Sequence, residues 1–342
     1  MSVAPHVLAE LERQAQSGDA RAQYVLFAVH GQAGRKAEAR AWLAKAVAAG
    51  NHDALYSKAC LLLDGVDGPR DIPQAVEMLR ETAELGGAAA LRTMAVLTVL
   101  GQNGEPDPSL GLRYLRRASS LGDISAHQQV TLIDNGAFDR PVPQRVELSR
   151  SPNAWRIDEL LPVEVCNYLV EAVKPLLHPS FVIDPRTGET LRSELRTSNT
   201  ATVHPFRQDF VMHLINQRLS DAAQLTLQQG EMLSVLMYRV GQQYHPHFDF
   251  LDPTAGASTQ FGSAGQRIAT LLVSLNEGFA GGETHFLSNQ LSYRGKTGDA
   301  LLFWNVDREG KPDLSTRHAG NPVTSGVKFI ISKWFREKPV AF

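Results

Sequence analysis

Residues 238–249 read YRVGQQYHPHFD, and a later stretch, Arg317–Lys328, reads RHAGNPVTSGVK. The first ends in His247-Phe248-Asp249. Side chains two apart on an extended segment point to the same face, so His247 and Asp249 can grip one ion together. His318, in the second stretch, is the candidate for a further imidazole on that ion. Ten residues later comes Lys328, a cation placed where an acidic ligand can be anchored. Parity also puts His245 on the face of His247.

A chain of 342 residues exceeds what one ordinary core needs, so two domains are expected. With 43% hydrophobic and 20% charged residues it reads as globular. A formal charge of -2 and a pI near 6.6 argue against a basic nucleic-acid face. The two cysteines, Cys60 and Cys166, fall in different expected domains and build neither a disulfide framework nor a thiolate metal site, which fits a reducing cytoplasm. No basic n-region with a long apolar run opens the chain, and no stretch approaches the ~20 apolar residues of a membrane span.

Residues 1–136 repeat themselves. SGDARAQYVL, AGNHDALYSKACLL, LGGAAALRTMAVL and LGDISAHQQVTL align on Gly18, Gly50, Gly86 and Gly122, each followed four residues on by alanine: Ala22, Ala54, Ala90 and Ala126. The glycines suit a left-handed position just past a helix end, and the alanines allow close helix approach. One such hairpin cannot bury its apolar stripe alone, whereas a stack can. The pattern resembles Sel-one-like repeats of the tetratricopeptide superhelix, a resemblance that implies a protein-interaction scaffold; a rigid cap with no partner of its own is the alternative. Pro141, Pro143 and Pro152 then break the helical pattern. They place a linker at about 137–155 between a repeat domain, 1–140, and a second domain, 141–342, with a first edge strand expected at Gln144–Leu148.

The second part opens with a helix, IDELLPVEVCNYLVEAVKPLL, with Pro162 near its first turn and a stripe of Val165, Tyr168, Leu169, Ala172, Val173 and Leu176. LSVLMYRV, QRIATLLVSL, ETHFL, DALLFW and VKFIISKWF follow, each rich in β-branched and aromatic residues. Short strands in that number suggest a double-sheet roll holding a ligand in its mouth. The fold class is therefore α + β: an α-solenoid of helical hairpins, then a jelly roll with flanking helices.

Two imidazoles and a carboxylate on one face of an ion form the facial triad of non-haem Fe(II) oxygenases. Arg196-Thr-Ser198, Tyr238-x-x-Gly241-Gln242-x-Tyr244-x-x-His247-x-Asp249, Gly281-Gly282-Glu283-Thr284, Gly298-Asp299-Ala300-Leu-Leu-Phe303-Trp304-Asn305, His318-Ala-Gly320-x-Pro322 and Lys333-Trp334 occur in that order. This set resembles the prolyl 4-hydroxylase type of 2-oxoglutarate- and Fe(II)-dependent dioxygenase over roughly residues 155–338. The resemblance implies a double-stranded β-helix in which His247, Asp249 and His318 are the iron ligands. Lys328 is then the partner of the far carboxylate of 2-oxoglutarate, and Tyr238 and Thr284 bond the same cosubstrate. Arg267, Tyr244, Trp334 and Arg336 fall where the family contacts peptide substrate. Fe(II), 2-oxoglutarate and dioxygen are implied, with ascorbate as reductant, and the reaction is hydroxylation of an unactivated carbon of a prolyl residue with succinate and CO2 as co-products.

Three other readings stay open: hydroxylation of a free amino acid or small metabolite, a repeat scaffold with a silent oxygenase domain, and a His/Asp/His metallohydrolase. The intact triad and lysine disfavour silence, and the lysine spacing disfavours hydrolysis. The polar segment 254–265, TAGASTQFGSAG, is expected to be a lid near the site mouth.

Overall fold

The computed structural model describes residues 4–66, 68–183, 190–192, 195–251 and 262–341. Its contacts divide the chain into two units, Met1–Thr131 and Leu132–Phe342. The division falls inside a helix, upstream of position 140.

The first unit is built of helical hairpins: α1 (Pro5–Gln16), α2 (Ala20–Gln32), α3 (Lys36–Ala48), α4 (His52–Asp64), α5 (Ile72–Glu84), α6 (Ala88–Val99), α7 (Pro108–Ser120) and α8 (Ile124–Asp134). Gly18, Gly50, Gly86 and Gly122 all adopt positive φ, from 71° to 98°, two residues past the end of a helix. The next residue stands just before the first residue of the following helix. Asp19, Asn51 and Asp123 each accept a hydrogen bond from the amide of Ala22, Ala54 and Ala126, respectively, satisfying a donor the helix leaves open. Those alanines, with Ala90, are buried at the hairpin contacts.

Gly87 occupies the capping position of the third repeat and offers no side chain. A Cβ there would lie 2.6 Å from Thr82 Cγ2 and 2.8 Å from Thr82 O, so the close packing of α5 on α6 excludes a capping residue. Tyr24 bonds Ser57 at 3.1 Å and Tyr56 bonds Thr93 at 3.3 Å, the same hydroxyl link from one repeat to the next. These aromatics tie repeats together.

The second unit carries β1 (Val146–Arg150), β2 (Asn153–Ile157), β3 (His178–Pro179), β4 (Phe181–Ile183), β5 (Thr190–Arg192), β6 (Asn199–Val203), β7 (Leu233–Arg239) and β8 (Tyr244–His247). They are followed by β9 (Arg267–Ser274), β10 (Phe279–Gly281), β11 (Thr284–Phe286), β12 (Ser292–Tyr293), β13 (Ala300–Trp304), β14 (His318–Gly320) and β15 (Val323–Arg336). The major sheet runs β1-β2-β13-β9-β15-β7-β6-β3, with β10 also paired to β15, and the minor sheet runs β12-β11-β14-β8. Every pairing is antiparallel, giving the expected jelly roll.

Alternation along the major strands sorts two cores. Val235, Met237, Leu271, Val273, Leu302, Phe329 and Ile331 face α9 (Val163–Val173) and α10 (Phe210–Ala223), whose Val165, Leu169, Ile215 and Leu219 pack on them. Leu236, Tyr238, Phe279 and Ile330 cluster on the other face, as do Leu301, Phe303 and Phe286. That second face looks into the roll.

Two expectations change. The edge strand is β1, which starts two residues later than expected. The stripe of α9 stops at Val173, because Pro175 lacks the amide a continuing helix needs; a 3-10 turn follows and Leu176 is left exposed. The segment expected to be a lid lies outside the described residues as far as 261, and Gly262–Ala264 form a single 3-10 turn. Among the described residues, no helix is long and apolar enough to cross a membrane.

The packing at Gly87 gives a test. Gly87→Asp restores the capping residue of the other repeats, yet thermal unfolding should show a loss of about 1–3 kcal/mol, because the clash outweighs the cap. Asp19→Ala, which removes a cap without a clash, should cost about 1 kcal/mol.

Candidate active site

His318 pairs directly with His247 across the ladder between β14 and β8. Asp249 follows β8 by two residues and is buried. His247 Nε2 lies 3.4 Å from Asp249 Oδ1, and His318 Nε2 lies 3.7 Å from Asp249 Oδ2. One ligand atom from each falls within 4.8 Å of the others, a spacing that suits a single ion.

The back of each ring supports the same use. His247 Nδ1 faces the carbonyl of His245 at 2.8 Å, and His318 Nδ1 faces that of Thr316 at 2.9 Å. A carbonyl only accepts, so each Nδ1 carries a proton, and the neutral form of either ring keeps its lone pair on Nε2, the nitrogen turned toward Asp249. Burial pushes His318 down to about 4, leaving it neutral. Burial alone would raise the Asp249 carboxyl, but the charge that His318 takes up at low pH, the neighbouring His247 and a 2.8 Å bond from Thr270 Oγ1 hold it below the usual carboxylate range. Two imidazoles and a carboxylate are the donor set that Fe(II) takes.

The triad opens into a cavity of about 380 Å³, its mouth included, also walled by Tyr238, Tyr244, Thr284 and Lys328. Lys328 and Tyr238 are cross-strand partners in β15 and β7, and Thr284 stands opposite Gly320 in the minor sheet. Both sheets thus line one chamber. The Lys328 ammonium is buried, donates to Gly282 O at 2.6 Å and lies 5.4 Å from the centre of the Tyr238 ring. Burial pulls its pKa down to about 8. Burial likewise raises the Tyr238 phenol and pushes Tyr244 up to about 12, so both stay protonated hydrogen-bond donors.

Parity misled at one position. The β14–β8 register shifts between His318 and Gly320, and this irregularity exposes His245 and brings Tyr244 inward. Tyr244 stacks on His247 with ring centres 3.4 Å apart and planes 16° apart, and Arg196 lies 5.5 Å over its ring.

Arg267, Trp334 and Arg336 do not line the cavity. They gather around Glu231, a residue that sequence reasoning missed. Arg267 grips its carboxylate through Nε at 2.7 Å and Nη2 at 2.8 Å, and Arg336 adds a bond at 3.1 Å. The Arg267 guanidinium sits 4.1 Å from the centre of the Trp334 ring. Burial would raise Glu231, but the two guanidiniums overcome it and hold the carboxyl low. Its partners lie far along the chain, so no local spacing announces it. Glu231→Gln should lower stability by about 3 kcal/mol. A depressed carboxyl contributes stability above its ordinary range and loses it as pH falls through the folded value, so the variant's acid-unfolding profile should be flatter there.

A sequence model of the 2OG-Fe(II) oxygenase superfamily matches residues 233–336, from β7 to the end of β15. Prolyl 4-hydroxylase 5 of Arabidopsis thaliana is 38% identical over 241 residues, covering 64% of this chain and 81% of the relative. The viral collagen prolyl hydroxylase of Paramecium bursaria Chlorella virus-1, solved with 2OG, is 28% identical and covers 54% of this chain and 95% of that one at a TM-score of 0.41. A Sel1 repeat protein from Oxalobacter formigenes is 21% identical and covers 36% of this chain and 96% of that one at a TM-score of 0.34. Identity of 38% across 81% of an Arabidopsis prolyl 4-hydroxylase decides the assignment: the chain belongs to the prolyl 4-hydroxylase family of 2-oxoglutarate- and Fe(II)-dependent oxygenases.

Proposed function

We propose that the enzyme hydroxylates a prolyl residue of a peptide or protein at an unactivated ring carbon, with succinate and CO2 as co-products and ascorbate as the reductant that keeps iron ferrous. The observation that carries this reading is a His-Asp-His cluster and a buried lysine in one cavity, on a chain of this family. In this reading His247, Asp249 and His318 would hold Fe(II). Fe(II) held there would supply, with 2-oxoglutarate and dioxygen, the oxidising power: one oxygen atom would enter the substrate C–H bond, the other would end in succinate, and CO2 would leave.

The chain binds, orients and excludes water. Lys328 takes the far carboxylate of 2-oxoglutarate by exchanging the Gly282 carbonyl for it, and the Tyr238 and Thr284 hydroxyls bond the same molecule. Tyr244, stacked beside His247, is a flat wall for a pyrrolidine ring, and Arg267 with Trp334 forms a rigid plate for the peptide flanking it. Arg336, buried and bonded to Gly265 O and Glu231, serves by fixing that plate. The helical repeats recruit the substrate protein. Two buried free thiols suit work in the cytoplasm.

Peptides and small metabolites incubated with Fe(II), ascorbate and 2-oxoglutarate test the reading by mass spectrometry. One added oxygen on a prolyl residue is expected, whereas oxidation of free amino acids alone would replace this substrate class. Recruitment by the repeats should appear as a lower KM for an intact substrate protein than for its excised target peptide; equal values would remove it.

Lys328→Ala should weaken 2-oxoglutarate by about a hundred- to several-thousandfold, roughly 3–5 kcal/mol. The ammonium form binds the anion, so in the unaltered enzyme affinity should be flat below pH 8 and fall about tenfold per pH unit above it, as titration calorimetry would show.

A further inference from the structure

Behind the Asp249 carboxylate stand two side chains that do not line the cavity. Thr270, on β9, and Asn305, just past the end of β13, are both fully buried. Thr270 Oγ1 is 2.8 Å from Asp249 Oδ2, and Asn305 Nδ2 is 2.9 Å from Thr270 Oγ1. The chemistry of the ends gives this chain of bonds one direction. A carboxylate can only accept and an amide NH2 can only donate, while the hydroxyl between them has a single proton. Thr270 must therefore donate to Asp249 and accept from Asn305. The opposite amide orientation would claim the hydroxyl proton for Asn305 and turn oxygen lone pairs on the carboxylate.

The main chain holds the far end in place. The Asn305 amide donates to Ile268 O at 2.8 Å, and its carbonyl accepts from the Asp313 amide at 3.0 Å. Among the described residues, Asn305 Oδ1 has no hydrogen-bond partner although it is buried. A leucine there would carry no such unpaired oxygen, so packing alone does not account for the amide.

We infer that Asn305 and Thr270 are positioning residues: a one-way relay that fixes the rotation of Asp249 and so sets the enzyme's affinity for its metal. This rests on the reading of Asp249 as a metal ligand, and the test separates the two.

Mn(II) binding to the full chain is measured by calorimetry and by the loss of the free-ion EPR signal, with melting of the metal-free protein as the folding control. Thr270→Val should weaken Mn(II) by about 10- to 100-fold, and Thr270→Ser, which keeps the hydroxyl, should stay within about threefold of the parent. Asn305→Leu should give an intermediate loss. Because Asn305 acts only through Thr270, the double variant should bind no more weakly than Thr270→Val alone. Parent-like binding by Thr270→Val, or losses that add in the double variant, would overturn the relay while leaving the triad intact. Should Thr270→Val fail to fold, parent-like binding by Asn305→Leu would overturn the relay in its place. An unaltered chain that binds no Mn(II), or a His318→Ala variant that binds it normally, would overturn the triad and the relay with it.

Discussion

The pairing of β14 with β8 is the constraint on which the chemistry depends. It sets His318 directly opposite His247, so the pairing of two segments far apart in the chain delivers both imidazoles to one place. Asp249 needs only to leave the strand and turn back. A slip of one residue in that ladder would point one imidazole away from the other and dissolve the site while leaving the sheet intact. The register is guarded by what packs beside it. Phe303 meets His318 edge-on at 4.9 Å, Phe286 lies 5.7 Å away, and both phenylalanines are fully buried.

The major sheet plays the opposite part. Its central strands are buried on both faces, one against helices and one against the chamber, so β15 carries Phe329 and Ile331 outward to α9 and α10 while Lys328 and Ile330 face the site. Burying an ammonium there is costly, and the surrounding hydrophobic strand holds it in position. Rigidity on one side thus supports a polar group on the other.

Much of this could be read from residues alone, for identifiable reasons. The repeat glycines encode a local backbone conformation, and a local conformation repeats visibly in sequence. His247 and Asp249 could be paired because a period-two strand carries their geometry, and His318 and Lys328 joined them through the ordered motifs of the family resemblance. What could not be read arises where distant segments meet. The irregularity that exposes His245 and stacks Tyr244 on His247 exists only once β14 has paired with β8. Glu231 looks like an ordinary acidic residue before a strand, and its two arginines come from β9 and the end of β15. Thr270 reads as one more β-branched residue of an apolar strand until Asp249 folds against it. The overreach of the α9 stripe to Leu176 has a local cause, Pro175, which the periodicity outvoted.

The carbonyl that holds Lys328 also bears on discrimination among acids. The ammonium's hydrogen-bonding partner is a neutral dipole, Gly282 O, so an arriving anion displaces no bonded counter-ion. The ammonium's hydrogen bond can then pass to a single oxyanion, although the nearby Glu283 already acts on its charge. Keto acids that end in a methyl group would leave that charge where it started and gain none of the attraction. On the proposed role of Lys328, one contact at this ammonium would tell a dicarboxylate from its shortened or uncharged analogues.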